Sequence, residues 1–78
     1  MKVLIIEDSD RLRDTLDKAL TRMGHAVDSA ADGAEGDLMG RMTRYDAVVL
    51  DRMLPAKDGL DVLHDWRRDG IQTPVLLL

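Results

Sequence analysis

The chain has 78 residues with a formal net charge of −4, 45% of them hydrophobic, 33% charged and none cysteine. This is one small domain, burying only roughly 60% of its unfolded surface, and disulfide scaffolds, thiolate metal sites and thiol nucleophiles are excluded. No apolar run approaches the ~20 residues of a membrane span, the N-terminal MKVLIIEDSD is too short in apolar residues for a secretory leader, and scattered arginines in an acidic chain argue against direct nucleic acid binding; a cytoplasmic protein without membrane association is expected.

The first element is Val3-Leu4-Ile5-Ile6, an apolar run without alternation, as expected of a strand buried on both faces. Leu12, Leu16, Ala19, Leu20 and Met23 then share one face of a predicted helix, with Ser9 or Asp10 as its cap and Gly24 as its end. His25 to Ala31 reads as a short edge strand, and Asp32-Gly33 as a turn into a second helix with Ala34, Leu38, Met39 and Met42 on one side. Gly36 and Gly40 each cost that helix about 1 kcal/mol relative to alanine, so it must be held by docking on the sheet.

Ala47-Val48-Val49-Leu50 is a third strand of the buried kind. Asp58 caps a third helix containing Leu60, Val62, Leu63 and Trp66, closed by Asp69-Gly70, and Pro74 opens a last apolar strand running to Leu78. The order β-α-β-α-β-α-β over short connections predicts an α/β fold, a doubly wound parallel sheet with helices on both faces.

In such a sheet, ligands bind beyond the carboxyl ends of the strands. The first strand ends in Glu7-Asp8 and the third in Asp51. A strand order 2-1-3-4 makes those strands neighbours and brings three carboxylates together. Taken singly, each acid reads best as a solvated loop residue or a helix cap. Together they repel unless a cation compensates, and hard oxygen ligands of this kind suit Mg²⁺ with a phosphate beside it.

The stretches VLIIEDSDRLRDTL, AVVLDRMLPAKDG and the terminal PVLLL together resemble the receiver domain of two-component response regulators, a flavodoxin-like fold of strand order 2-1-3-4-5. Leu54-Pro55 followed by Asp58-Gly59 is most similar to the subfamily that carries a winged-helix DNA-binding domain after the receiver. The resemblance covers the whole chain. It implies that Asp51 is the phosphoacceptor for a histidine kinase and that Asp8 and Asp51 bind Mg²⁺ directly. It further implies that Glu7 acts through a bound water and that the backbone carbonyl of Met53 completes the ligands. Transfer would be in line, with Asp51 supplying the nucleophilic oxygen and the phosphoprotein controlling an output, transcription, encoded outside this chain.

The Ser or Thr that the family carries after strand 4 and the Lys at the end of strand 5 have no matching positions. Residues 1–78 are therefore expected to be the N-terminal part of a receiver domain, truncated before strand 5, retaining the metal site and acceptor without the switch. An unpaired last strand would invite self-association. Met53 is expected to face the site mouth, Lys57 to be a solvated loop lysine rather than a phosphate ligand, and His25 and His64 to be surface residues. Arg11, Arg13, Arg67 and Arg68 read as solvated helix faces, with Tyr45 and Trp66 as packing anchors.

Three other readings compete. A small Mg²⁺-dependent phosphatase needs a second acid two residues after its nucleophile, where this chain has Met53. A nucleotide-binding module needs a glycine-rich cradle where this chain has Glu7-Asp8-Ser9-Asp10. The third is a fragment that only associates.

Overall fold

Four strands and three helices alternate in the predicted order in a computed structural model that describes residues 1–78: β1 (Lys2–Ile6), α1 (Asp10–Arg22), β2 (Ala26–Ala30), α2 (Gly33–Met42), β3 (Ala47–Leu50), α3 (Gly59–Arg68) and β4 (Val75–Leu77). The strands form one parallel sheet in the order β2-β1-β3-β4. Ile6 lies opposite Ala30 on one side and Leu50 on the other, so the carboxyl ends of the two central strands are level. Helix ends follow the local signals. Ser9, Asp32 and Asp58 cap the three helices by accepting from the backbone N–H of Leu12, Glu35 and Leu60, and Gly24 and Gly70 take left-handed conformations just past α1 and α3.

Side chains alternate across the sheet. Leu4, Ile6, Val48 and Leu50 point to one face and form the core with Val62 and Trp66 of α3 and with Ala30 and Tyr45. Val3 and Ile5 are buried on the other face, where α1 packs on β1 and β2. The sheet is thus doubly wound, as predicted. Tyr45 and Trp66 are the expected anchors, each with its polar atom satisfied: Tyr45 Oη–H donates to Asp28 at 2.7 Å and Trp66 Nε1–H to Asp37 at 2.7 Å. Burial and the Asp28 carboxylate push the Tyr45 phenol up to about 12.

Three packing expectations are corrected. On α2, Leu38 and Met42 are 58% and 76% exposed, and the docked face is the glycine stripe. A Cβ on Gly36 would overlap the Ile6 side chain and one on Gly40 the Trp66 ring, so glycine is what lets this helix approach the sheet closely. On α1, Leu16 and Leu20 are half-buried while Leu12 and Met23 are exposed and no residue is fully buried, because α1 lies alone over its side of the sheet. In β4, burial on both faces fails for the same reason: Leu76 is 63% exposed.

Candidate functional site

The acidic site is built by two strand ends and the loops that leave them. Ladder bonds persist one residue past each strand: the Glu7 amide donates to Ala30 O and the Asp51 amide to Ile6 O, at 3.1 and 3.0 Å. Glu7 and Asp51 therefore leave the sheet from neighbouring, rigid positions, and Asp8 follows before the Ser9 cap. One carboxylate oxygen from each of Glu7, Asp8 and Asp51 lies within 4.8 Å of the others. The predicted convergence is present. Glu7 is buried, Asp51 half-buried and Asp8 exposed.

The loop from Asp51 to Asp58 folds back tightly. Its returning end packs against the end of β3, where a Cβ on Gly59 would overlap the Asp51 carbonyl oxygen. Backbone bonds from Gly59 to Arg52 O (2.9 Å), Lys57 to Pro55 O (2.8 Å) and Gly33 of α2 to Pro55 O (3.1 Å) hold the turn. Ala56 sits at φ 67°, a left-handed conformation that favours glycine. The Met53 amide donates to Asp51 Oδ1 at 3.3 Å, and the Met53 side chain is 82% exposed.

Burial raises the Glu7 carboxyl above its ordinary value, and the adjoining Asp51 carboxylate raises it further. Glu7 Oε2 is buried with no hydrogen-bond partner; Oε1 accepts only from the Ser9 amide at 3.4 Å. Two ionised carboxylates cannot hydrogen-bond each other, so the pair requires a shared proton or a cation. No ion pair reaches any of the three acids. An orphaned buried carboxylate oxygen beside two more hard oxygen donors fits a small divalent cation that keeps several waters.

Several other assignments change. Arg13 is no free surface cation, since its guanidinium donates to the Glu7 carbonyl at 2.9 Å and to Asp10 at 2.6 Å, bracing the turn after β1. Arg11, Arg67 and Arg68 are exposed as expected, although Arg67 also donates to the carbonyls of Ile71 and Thr73, fastening the connection into β4, and Arg68 pairs with Asp65 and Asp69. Lys57 is neither solvated nor turned to the acids: its ammonium lies 2.9 Å from Asp37 and 2.7 Å from Asp65. No local pattern announces that bridge, because its partners lie on two other elements. His64 is exposed, and His25 is half-buried with Nδ1 at 3.1 Å from the N-terminal amine, both apart from the acids.

Comparisons with known proteins point one way. The family model described as "Response regulator receiver domain" matches residues 3–78. The chain is 45% identical over all 78 residues to the transcriptional regulatory protein QseB of Haemophilus influenzae, of which it covers 35%; it spans about a third of the length of such curated relatives. Among solved structures, a Francisella response regulator receiver domain superposes with a TM-score of 0.95 at 30% identity, covering 97% of this chain and 63% of that one. The response regulator TrrA of Thermotoga maritima, solved in complex with Mg²⁺-BeF, superposes with a TM-score of 0.91 at 28% identity over 97% of this chain and 66% of that one.

Proposed function

Because the chain belongs to the response regulator receiver family, we propose that Asp51 accepts a phosphoryl group from a histidine kinase at a Mg²⁺ site made by this chain's own acids. The observation that carries the reading is the convergence of Glu7, Asp8 and Asp51 at level strand ends, with Glu7 Oε2 buried and unpartnered. Asp8, Asp51 and the Met53 carbonyl would hold the metal, and Glu7 would act through a bound water. When bound, Mg²⁺ supplies positive charge for the phosphoryl oxygens. The Mg²⁺-BeF complex of TrrA supports the same assignment by likeness.

In the transfer, an Asp51 carboxylate oxygen bonds to phosphorus in line as the bond to the donor nitrogen breaks, and the electron pair stays on the imidazole. The Met53 amide bond to Asp51 Oδ1 orients the carboxylate, and the rigid ends of β1 and β3 fix the distance between acceptor and metal ligands. The chain is a phosphoacceptor that assists its own modification and not a stand-alone enzyme. Residues 1–78 act as the N-terminal part of a receiver domain in a cytoplasmic regulator whose DNA-binding output belongs to the whole protein. The relatives' names as transcriptional regulatory proteins favour that output.

Met53 stands where a phosphatase would carry its second acid, and Glu7-Asp8-Ser9-Asp10 would repel a nucleotide pyrophosphate, so both alternatives lose their chemistry. A second property rests on β4, an edge strand whose flanking segment Ile71 to Leu78 has no charged side chain. We propose that copies of this 78-residue chain pair along it. Intact mass after incubation with acetyl phosphate and Mg²⁺ tests the main reading: one phosphoryl group is gained by the native chain and lost in Asp51→Asn. Equal labelling of Asp51→Asn would overturn the acceptor.

A further inference from the structure

Away from the acidic cluster, six charged side chains close a ring along the seam between α2 and α3. Lys57 bonds Asp37 and Asp65 at 2.9 and 2.7 Å, and Asp65 bonds Arg68 at 3.1 Å. Arg68 bonds Asp69 at 3.1 Å, Asp69 bonds Arg41 at 2.9 Å, and Arg41 returns to Asp37 at 2.8 Å. Acids and bases alternate throughout. Five members lie on or at the ends of α2 and α3, and Lys57 alone comes from the loop that follows Asp51.

The anchor of the ring is stiff. Asp37 also accepts from Nε1–H of Trp66, a ring that is fully buried beneath α2. Burial pulls the Asp37 carboxyl upward, yet the bonds from Lys57, Arg41 and Trp66 outweigh it and hold the group below the ordinary carboxylate range. The loop, by contrast, has no regular structure and includes the left-handed Ala56. Segments of that kind open easily unless something ties them. Leu54 packs on the core and backbone bonds join the loop to Gly33 and Gly59; Lys57 adds ion pairs that reach α2 and α3 at the same time.

We propose that Lys57 is a positioning residue, whose ammonium, bridged between Asp37 and Asp65, fixes the loop 52–58 and thereby the Met53 carbonyl beside Asp51. The proposal rests on the Mg²⁺ reading given above. Removing the ammonium leaves Asp37 and Asp65 facing each other as like charges and frees the loop, whereas cutting the ring at Arg68 leaves both loop bonds in place.

The test compares Lys57→Met with Arg68→Met in the 78-residue chain by two measurements. One is the Mg²⁺ dissociation constant from amide chemical shifts; the other, made without metal, is hydrogen exchange at the Gly33 and Gly59 amides. Lys57→Met is expected to weaken Mg²⁺ about tenfold, as lost support of metal ligands does, and to speed exchange at both amides, with Arg68→Met at native values in both. Lys57→Gln serves the same comparison if the methionine variant does not fold. Native exchange and affinity without the lysine overturn the proposal, and equal losses in Arg68→Met overturn it in favour of plain seam stability. If the native chain binds no Mg²⁺, the metal reading fails, and unchanged exchange in Lys57→Met would separately overturn the fixing of the loop.

Discussion

Glu7 is 4% exposed and leaves one carboxylate oxygen without a partner, so its charge opposes folding unless a cation is bound. Its folded pKa is raised above the ordinary 4.5, first by burial and then by Asp51. The stabilising contribution of its proton is therefore full below the unfolded pKa and is lost as pH rises through the folded one. The metal-free chain should gain stability from this group as pH falls from neutrality, and Glu7→Gln should flatten that gain. At pH 7 Glu7→Gln should stabilise the metal-free chain by about 1 kcal/mol, the scale of one buried unsatisfied group, while reducing the stabilisation that Mg²⁺ confers. Urea unfolding midpoints with and without Mg²⁺ measure both effects. Ala56 makes a second residue-scale case. Its left-handed backbone costs about 1–2 kcal/mol and the extra unfolded-state freedom of glycine about 0.4–1 kcal/mol, so Ala56→Gly should stabilise the chain by several tenths of a kcal/mol in the same assay.

At the scale of the element, α2 separates helix propensity from helix docking. Replacing glycine by alanine in a helix interior gains about 1 kcal/mol of propensity. Gly40 nonetheless lies against the Trp66 ring, where a Cβ finds no room, and overpacking a core costs about 1–3 kcal/mol. Gly40→Ala should therefore lower the thermal midpoint even though it favours the isolated helix, with near-ultraviolet circular dichroism of Trp66 reporting the displaced ring. A raised midpoint would show that α2 can retreat from the sheet without loss. Leu38 and Met42 mislead because they satisfy a helical period on the outer side, whereas Met39 does pack on the core; the small residues at Gly33, Gly36 and Gly40 satisfy the same period on the inner side, where close approach to the Lys57 backbone, Ile6 and Trp66 selects them.

The whole molecule is unevenly covered. The face bearing α2 and α3 holds the core, whereas the face bearing α1 leaves a groove of about 320 Å³ whose lining includes Val3, Leu20, Val49, Pro74 and Leu76. The two sheet edges differ as well. β2 carries Asp28, tied to Tyr45 and close to Lys2, and an edge charge discourages pairing; β4 has none. Light scattering coupled to size exclusion should show self-association of the 78-residue chain that grows with concentration, and Leu76→Lys should reduce it. A folded monomer at every concentration would sink that expectation.

Patterns confined to one stretch of chain were enough for the strands, helices, caps and end glycines, because periodicity and capping depend on near neighbours. The alternation of strand and helix further implied a parallel sheet, and the resemblance to receiver domains supplied the order 2-1-3-4 that sets β1 beside β3 and brings Glu7, Asp8 and Asp51 together. Only the tertiary structure decided which face of α2 is inside, that Arg13 braces the Glu7 turn, and that Lys57 joins a closed ring of charges. Each of those depends on atoms brought together across 6 to 30 positions of sequence, where pairing is set by how helices dock on the sheet and leaves no periodic trace in the order of the residues.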